Sequence, residues 1–330
     1  MNPRALSLRP LVCATRASRL ALTQTRSVMA LVATGGIAST ILEVTTRGDA
    51  VQDRAIEAIG TENVFVTELE LALREGRADY AVHSCKDLPS ALAPGMTLAA
   101  VTRRADPRDA FCSERFASFA ALPPGARVGT SAPRRSAQLR ALRPDLSYVD
   151  VRGNVDTRLR KLRAGDYDAL VLAVAGLERL GIGAAHVVPF SPDELTPAAG
   201  QGALAIETRE DDPLAEQLAA LVEDPAASLA VRAERAFLRR LRGGCQAPIG
   251  VHATWDGGRL RLTGAIAAAD GAGVVRGARD AAVAADAREA AEAAGEALAD
   301  ALLAQGGAEL IASGAAPVHL PAADARSYRS

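Results

Sequence analysis

Short apolar stretches alternate with helical stretches through the first third of this chain, and this alternation limits the fold more than any other feature. The apolar stretches predict strands at Leu11–Ala14, Ile41–Thr46, Tyr80–His83 and Leu98–Thr102. Before the third strand, residues 64–76 place Phe65, Leu69 and Leu73 on one helical face, with Gly76 as a stop signal. Strands that alternate with helices predict βαβ units and a largely parallel, doubly wound sheet.

The alternation starts again after about residue 105, which predicts a second α/β domain of similar build. Residues 106–108 and 192–201 are the candidate crossings between the two domains, and a chain that crosses twice forms a hinged pair with a ligand cleft. From residue 225 a long helix, glycine-rich turns and an alanine-rich helix predict a small α+β domain. For these 330 residues we predict domain 1 over 1–104 and 200–222, domain 2 over 105–199 and domain 3 over 223–330.

Charge and composition argue against several classes of protein. The net charge is −1 although there are 38 Lys and Arg, and aromatic residues make up only 3%, which argues against nucleic-acid binding. Cys13, Cys85, Cys112 and Cys245 lie far apart without a CxxC motif, so we expect free thiols, no disulfide framework and no bound metal. No apolar stretch is long enough to span a membrane without charges. We therefore expect a cytoplasmic protein.

The first 42 residues allow two interpretations. They contain no acidic residue but five arginines, a composition that an organellar transit peptide can have. They also contain an apolar strand pattern followed by a helical one, and we prefer this folded interpretation.

Hydroxyl and arginine side chains cluster where predicted strands lead into helices. The residues concerned are Thr15, Arg16, Ser18, Thr130, Ser131, Arg134, Arg135, Arg152 and Arg158. Helix N-termini with added arginines bind carboxylates or phosphates, whereas the simpler interpretation is helix capping with solvated arginines. Several such junctions in two similar domains favour a polyanionic ligand.

The stretch HSCKDLP ends the third predicted strand. Lys86 and Asp87 stand at the carboxyl end of this strand, where α/β proteins place ligand-binding groups. Asp87 could act as a general acid and base or stabilise a developing positive charge, while the alternative is a surface ion pair of little consequence. A nucleophilic pair of His83 and Cys85 is less favoured than core packing.

Cys245 stands in RRLRGGCQAPIG among small residues, a setting more typical of an exposed thiol than of one packed in the core. Two structural interpretations are a small buried hydrophobe and a neighbour of a helix C-cap. The functional interpretation is a nucleophile or a covalent attachment point. The residues alone leave these alternatives open.

Several sequence blocks, which follow one another in a fixed order along the chain, nevertheless resemble those of a known family. The blocks, which lie between about residue 12 and about residue 277, include ATRASRLAL, ADYAVHSCKDLP, DPRDAF, GTSAPRR, RGNVDTRL, AAGQGALAIE and RRLRGGCQAPIG. In this combination they are highly specific, and the chain resembles the porphobilinogen deaminase (hydroxymethylbilane synthase) family of tetrapyrrole biosynthesis.

The resemblance implies a fold, a cofactor and a reaction. It implies two doubly wound domains like those of periplasmic binding proteins, with a small α+β C-terminal domain. It also implies a dipyrromethane cofactor in thioether linkage to Cys245. Four porphobilinogen units are added one at a time with loss of ammonia, and water then releases linear hydroxymethylbilane. The family further suggests a monomer with no nucleic-acid or membrane partner.

The resemblance also implies roles for individual residues. Asp87 matches the catalytic aspartate, which stabilises the departing amine and then the cationic azafulvene. The residues implied to bind the cofactor are Ser84, Lys86, Asp87, Thr130, Ser131, Arg134, Arg135 and Arg158. Those implied to bind the substrate or the growing chain are Arg16, Ser18, Arg152, Arg179 and Gln201.

Two positions depart from the family pattern. Glu62 and Asn63 stand where the mobile loop of the family usually has Lys-Gly, which puts the contribution of this loop to closure in doubt. Ala132 stands where a second serine is common, which removes one hydroxyl group near the cofactor.

A binding protein of the periplasmic type is the main rival, because it would also have two hinged α/β domains. That function predicts an export signal and no need for Cys245.

Overall fold

The computed structural model describes residues 9–46, 66–242 and 248–314, which form two five-stranded sheets and one three-stranded sheet. The strands are β1 Leu11–Arg16, β2 Ser39–Val44, β3 Tyr80–Ser84, β4 Met96–Val101, β5 Asp109–Ser113, β6 Arg127–Gly129, β7 Ser147–Val149, β8 Ala169–Ala173, β9 His186–Pro189, β10 Leu204–Arg209, β11 Ile249–Asp256, β12 Arg259–Ala267 and β13 Val274–Ala282. The helices are α1 Arg19–Thr34, α2 Thr67–Arg74, α3 Pro133–Leu142, α4 Val155–Arg163, α5 Val174–Leu180, α6 Leu214–Val222, α7 Pro225–Arg240, α8 Arg288–Leu302 and α9 Ala308–Gly314.

The first sheet has the order β2-β1-β3-β10-β4. Its centre is apolar because Val28 and Val32 of α1 pack on buried side chains of β1 and β3, including Tyr80. The strand and helix at its start confirm the folded interpretation of residues 11–34. Gly76 ends the predicted helix at φ +70°, a conformation that glycine adopts without steric cost.

The second sheet repeats this build with the order β7-β6-β8-β5-β9. Both sheets are doubly wound, as predicted, but they are less parallel than the alternation suggested. In the first sheet β10 is antiparallel to both its neighbours, and in the second β5 is antiparallel to both of its own. Each of these strands begins where the chain arrives from the other sheet. The chain reaches β5 and β10 from the other sheet and not through a helix that crosses over their own sheet. No βαβ unit therefore requires either strand to be parallel to its neighbours.

A small α+β unit follows, in which three antiparallel strands pack against α7 and α8. Phe237, Leu262 and Leu302 are fully buried at its centre. Gly257 and Gly258 join β11 to β12 with positive φ, which confirms the predicted turn. The two helices approach closely where Gly295 faces Ala233, because a Cβ at residue 295 would lie 2.0 Å from the Ala233 carbonyl oxygen.

The chain leaves the first sheet after Val101 and returns to it at Leu204, so residues 102–108 and 190–203 are the two crossings. These segments bring the ends of the two sheets together. The exact domain boundaries stay a prediction. Within the described ranges, no helix is long and apolar enough to cross a bilayer.

Candidate active site

A cleft lies between the first two sheets, where the chain crosses from one to the other. It encloses about 520 Å³ of empty space, part of which is open to solvent. The sequence-predicted residues that line it are Ser84, Lys86, Arg135, Arg158, Arg179 and Gln201. These residues come from the end of β3, from α3, α4 and α5, and from the second crossing. The fold therefore assembles one site from positions more than a hundred residues apart in sequence.

The cleft is cationic, since four of the described lining residues are Lys or Arg and none is Asp or Glu. Burial, together with the charge of Arg135, lowers the pKa of Lys86 to about 8. Burial and Arg135 likewise lower the pKa of Arg158 to about 10, and burial lowers that of Arg179. Cations that depress one another's pKa in this way favour a bound anion, which relieves their repulsion.

A buried aspartate holds one wall of the cleft in place. Arg135 donates to Asp109 Oδ1 at 2.7 and 2.9 Å, and Arg134 Nη1 lies 2.8 Å from Oδ2. Gln201 Nε2 also donates to Oδ1, at 3.0 Å. Burial would raise the pKa of Asp109, but the two arginines outweigh burial and hold it well below the usual value. Asp109 is therefore an anion that orients three predicted site residues.

The two neighbouring arginines differ in position. Arg135 lines the cleft, whereas Arg134 is buried behind it and donates to the Thr196 carbonyl oxygen at 2.7 Å. Successive side chains on a helix point about 100° apart, which gives these two arginines different surroundings although both reach Asp109. The sequence analysis gave both arginines the same role because both follow the same strand. Only the packing of the folded chain shows that one of them lines the cleft and the other does not.

We expect Asp109→Asn to destabilise the protein strongly. The substitution preserves size but leaves two buried guanidinium groups without their counter-ion, a loss worth about 3 to 5 kcal/mol in buried pairs. The urea midpoint of unfolding should fall accordingly, as followed by circular dichroism. Asp280→Asn is the matched control, because Asp280 also pairs with two arginines, Arg259 and Arg261, but is exposed. A shift no larger for Asp109→Asn than for Asp280→Asn would contradict the proposed role.

Gln201 connects the two walls of the cleft, and the glycines on either side of it have backbone conformations that favour glycine. Its Oε1 accepts from Lys86 Nζ at 3.4 Å, while its Nε2 donates to Pro107 and Asp109. Gly200 and Gly202 on either side have φ of +70° and +90°. A Cβ on Gly200 would lie 2.6 Å from Cys85 Sγ, and one on Gly202 would lie 2.4 Å from the Ala105 carbonyl oxygen. The Gly-Gln-Gly sequence thus lets the second crossing pack against the first.

Asp87 ends a single 3₁₀ turn, Cys85–Asp87, that directly follows β3. Its side chain is half-buried, and within the described residues its carboxylate forms no hydrogen bond or ion pair. Ser84, at the head of this turn, donates its hydroxyl to Gln24 Oε1 at 3.0 Å. A half-buried carboxylate beside a cationic cleft is available to a bound ligand.

The neighbouring His83 and Cys85 do not form a nucleophilic pair. His83 Nε2 lies 2.9 Å from Glu207 Oε2 in the core of the first sheet. Burial raises the pKa of the Cys85 thiol to about 11, so this thiol is not activated as a nucleophile. Both side chains are buried, in agreement with the core packing that the sequence favoured.

The other predicted site residues, like Asp87 and Arg134, are not among the residues that line the cleft. Ser18 caps α1 by accepting from Ala21 N, and Thr130 accepts from Ala132 N. Arg152 Nε lies 2.6 Å from Asp150 Oδ2. Arg16 and Ser131 are half-buried at the ends of β1 and β6. Roles for these five residues stay predictions.

Cys245 and the Glu62-Asn63 departure fall outside the described residues. The described residues on both sides of Cys245, however, pack against the second crossing. Leu241 and Ile249 belong to the same apolar cluster as Ala199, and Val251 N donates to the Pro197 carbonyl oxygen at 2.9 Å. Ala132 begins α3 without a side-chain cap, so this departure removes a hydroxyl from a helix start.

Sequence reasoning missed Asp109. Its signal was present, because an aspartate opens an otherwise apolar strand, DAFCS, and every residue of that strand is buried. A charge in a fully buried strand requires a partner, although the sequence does not say which residue supplies it.

Comparisons with known proteins found matches that cover most of this chain. Residues 11–217 match a family described as "Porphobilinogen deaminase, dipyromethane cofactor binding domain", and residues 228–304 match "Porphobilinogen deaminase, C-terminal domain". A porphobilinogen deaminase of Roseiflexus sp. strain RS-1 is 53% identical over 304 residues, which are 92% of this chain and 98% of that protein. One of Thiobacillus denitrificans is 48% identical over 81% of this chain and 85% of its own length. Among solved structures, the periplasmic VFT2 domain of Bordetella pertussis BvgS is 16% identical with a TM-score of 0.38, covering 63% of this chain and 84% of that one.

Proposed function

The chain belongs to the porphobilinogen deaminase family, and on that premise we propose how its cleft makes hydroxymethylbilane from porphobilinogen. The reaction is a transfer in which four porphobilinogen units are condensed in turn with loss of ammonia, after which water releases the linear product. The single observation that carries the assignment of the site is the cleft itself, which presents four cations and no acidic side chain among its described lining residues. Each pyrrole unit brings an acetate and a propionate group, so both substrate and product are polyanions.

The described residues fit a dipyrromethane cofactor. Lys86, Arg135 and Arg158 offer charged donors for its carboxylates, and arginine binds carboxylates in a planar, two-point manner. Leu20, Val155 and Leu172 give the same cleft apolar surface for pyrrole rings. When bound, the cofactor supplies the pyrrole carbon from which the chain grows.

We assign covalent attachment of this cofactor to Cys245. The described residues flanking it, Leu241 and Ile249, pack beside Ala199, two residues before Gln201 of the cleft. The described residues on both sides of Cys245 thus pack beside the second crossing, which contributes Gln201 to the cleft. Attachment gives a function to a cysteine that stands among small residues in the sequence.

The carboxylate receptors are assigned by the resemblance of their sequence blocks to those of the family. We assign the cofactor carboxylates to Ser84, Lys86, Thr130, Ser131, Arg134, Arg135 and Arg158. We assign the incoming substrate and the growing chain to Arg16, Ser18, Arg152, Arg179 and Gln201. Arg134 acts mainly by holding Asp109 and the wall, because its guanidinium group is buried behind the lining.

Asp87 is assigned as the catalytic residue. Its half-buried carboxylate directly follows Lys86, which lines the cleft, and in this proposal it accepts hydrogen bonds from pyrrole N–H groups. As the amine departs, positive charge spreads over the pyrrole, and a fixed carboxylate in a site of reduced solvation stabilises this charge. The same carboxylate then takes up the proton released after carbon–carbon bond formation.

The broader setting follows the family. We propose that domain 1 carries Asp87, domain 2 carries the arginine-rich wall, and domain 3 carries Cys245, with the boundaries predicted above. We also propose a cytoplasmic monomer whose partner is porphobilinogen, without nucleic acid, membrane or metal.

The test of the function is an assay of the purified chain with porphobilinogen. We expect ammonia release, formation of hydroxymethylbilane detected by chromatography, and an intact mass that exceeds the sequence mass by one dipyrromethane unit. A chain that carries no added mass and releases no ammonia would overturn the proposal. A binding protein of the periplasmic type would bind a ligand without consuming it.

A further inference from the structure

A second cleft lies between the first sheet and the C-terminal unit, and Asp87 is not among the residues that line it. We call it the α7 cleft. One side is the segment 90–98, which leads into β4, and the other side is helix α7 with Glu292 of α8. It encloses about 860 Å³ of empty space including open solvent, and Glu210 lies exposed at its edge. Neither the proposed reaction nor its residue assignments use this cleft.

Three arginines of α7 line this cleft, at positions 232, 235 and 239. Residues at this spacing share one helical face. Arg239 Nη2 lies 2.8 Å from Glu292 Oε2, and Arg232 Nη1 lies 3.7 Å from Glu292 Oε1. Arg235 Nη2 donates to the Ser90 carbonyl oxygen at 3.2 Å. One carboxylate is therefore shared by two arginines, and the helix face keeps an excess of positive charge.

Arg232 provides a second, independent observation. Its Nε is buried and has no hydrogen-bond partner in the part of the chain that the structure describes. Burial, together with the nearby Arg288, lowers the pKa of Arg232. A buried guanidinium N–H without an acceptor is costly, and an oxyanion held by the Nη groups of Arg232 would stabilise the charge of this same guanidinium group.

The opposite wall indicates what kind of anion fits. Leu92, Ala93, Pro94 and Met96 line it, so the cleft combines charged donors with apolar surface. A bare inorganic ion would leave this surface uncovered, whereas a ligand with a short carbon skeleton would bury it.

We propose that the α7 cleft binds a small organic polycarboxylate, at a site separate from the cleft that Lys86 and Arg135 line. Its carboxylates pair with Arg232 and Arg239, and its carbon skeleton lies on residues 92–96. The segment 90–98 begins three residues after Asp87, so the ligand joins the Asp87 side of the molecule to the C-terminal unit.

The experiment is a calorimetric titration of the cofactor-loaded enzyme with citrate. Wild type should bind citrate, and Arg232→Gln and Arg239→Gln should each weaken binding about tenfold or more, because each removes a charged hydrogen bond. Arg259→Gln is the matched control, since Arg259 is an exposed arginine of the same unit that pairs with Asp280 away from the cleft. It should bind citrate as wild type does. Citrate bound instead in the cleft lined by Lys86 and Arg135 would titrate equally in all these variants.

Glu292→Gln changes affinity in the opposite direction. Glu292 competes for the same two arginines, so its neutralisation should tighten citrate binding about tenfold, a change that misfolding cannot produce. Inorganic phosphate, used as a second probe, should bind at least about tenfold more weakly than citrate, since it does not cover the apolar wall. Unchanged citrate binding in both arginine variants would overturn the site, and phosphate binding equal to that of citrate would overturn its assignment to an organic ligand.

Discussion

Cys245→Ala is expected to yield a folded chain without a covalent group and without measurable turnover. The thiol is the proposed attachment point, and alanine has no atom that can form the thioether bond. The intact mass should equal the sequence mass, whereas wild type should exceed it by one dipyrromethane unit. Porphobilinogen should release no ammonia with this variant, because no primer is present to receive the first unit.

Cys13→Ala serves as the control for this result. Cys13 is fully buried in the first sheet, and burial raises the pKa of its thiol to about 12, so it is not available for attachment. This variant should keep the added mass and the activity. If Cys245→Ala kept the added mass, another residue would be the attachment point and the proposal would be wrong.

Asp87→Asn should separate attachment from turnover. Asparagine has nearly the same size, so the cofactor should still be found in the intact mass. The amide carries no charge and accepts no proton, and the loss of such a group typically costs about 10²- to 10⁴-fold in rate. Initial rates of ammonia release at saturating porphobilinogen measure this effect.

Two further variants define the cause. Asp87→Glu restores the charge at a displaced position and should recover part of the rate. Asp145→Asn removes an exposed carboxylate that pairs with Arg143 and should leave the rate unchanged. A wild-type rate in Asp87→Asn would remove this residue from the catalytic role.

Some of the structure could be predicted because it depends on residues close together in sequence. The strand at Tyr80–Ser84 follows from a short apolar run, the end of α2 from Gly76, and the start of α3 from Pro133 in its first turn. Hydrophobic periodicity and backbone conformation act over a few residues, so the sequence displays them directly. The directions of β5 and β10 could not be predicted from such local patterns, since they depend on how the chain crosses between two sheets.

The candidate site likewise has features that the sequence predicts and features that depend on long-range packing. The residue types at the strand ends indicated a polyanion, and the family resemblance assigned Asp87 and Cys245 their roles. The sequence did not reveal that Asp109 binds Arg134 and Arg135, because these partners lie 25 and 26 residues away on another element.

By itself, the sequence determined the alternation of strands and helices, the two-sheet architecture with its small third unit, and the family. The tertiary structure decided that Arg135 lines the cleft while Arg134, which is equally buried, does not, and that α7 meets segment 90–98 in a second cleft lined by three arginines. Local patterns record which face of an element is apolar. Ion pairs and cavities arise only when distant elements are packed together, because charge and burial depend on neighbours in space.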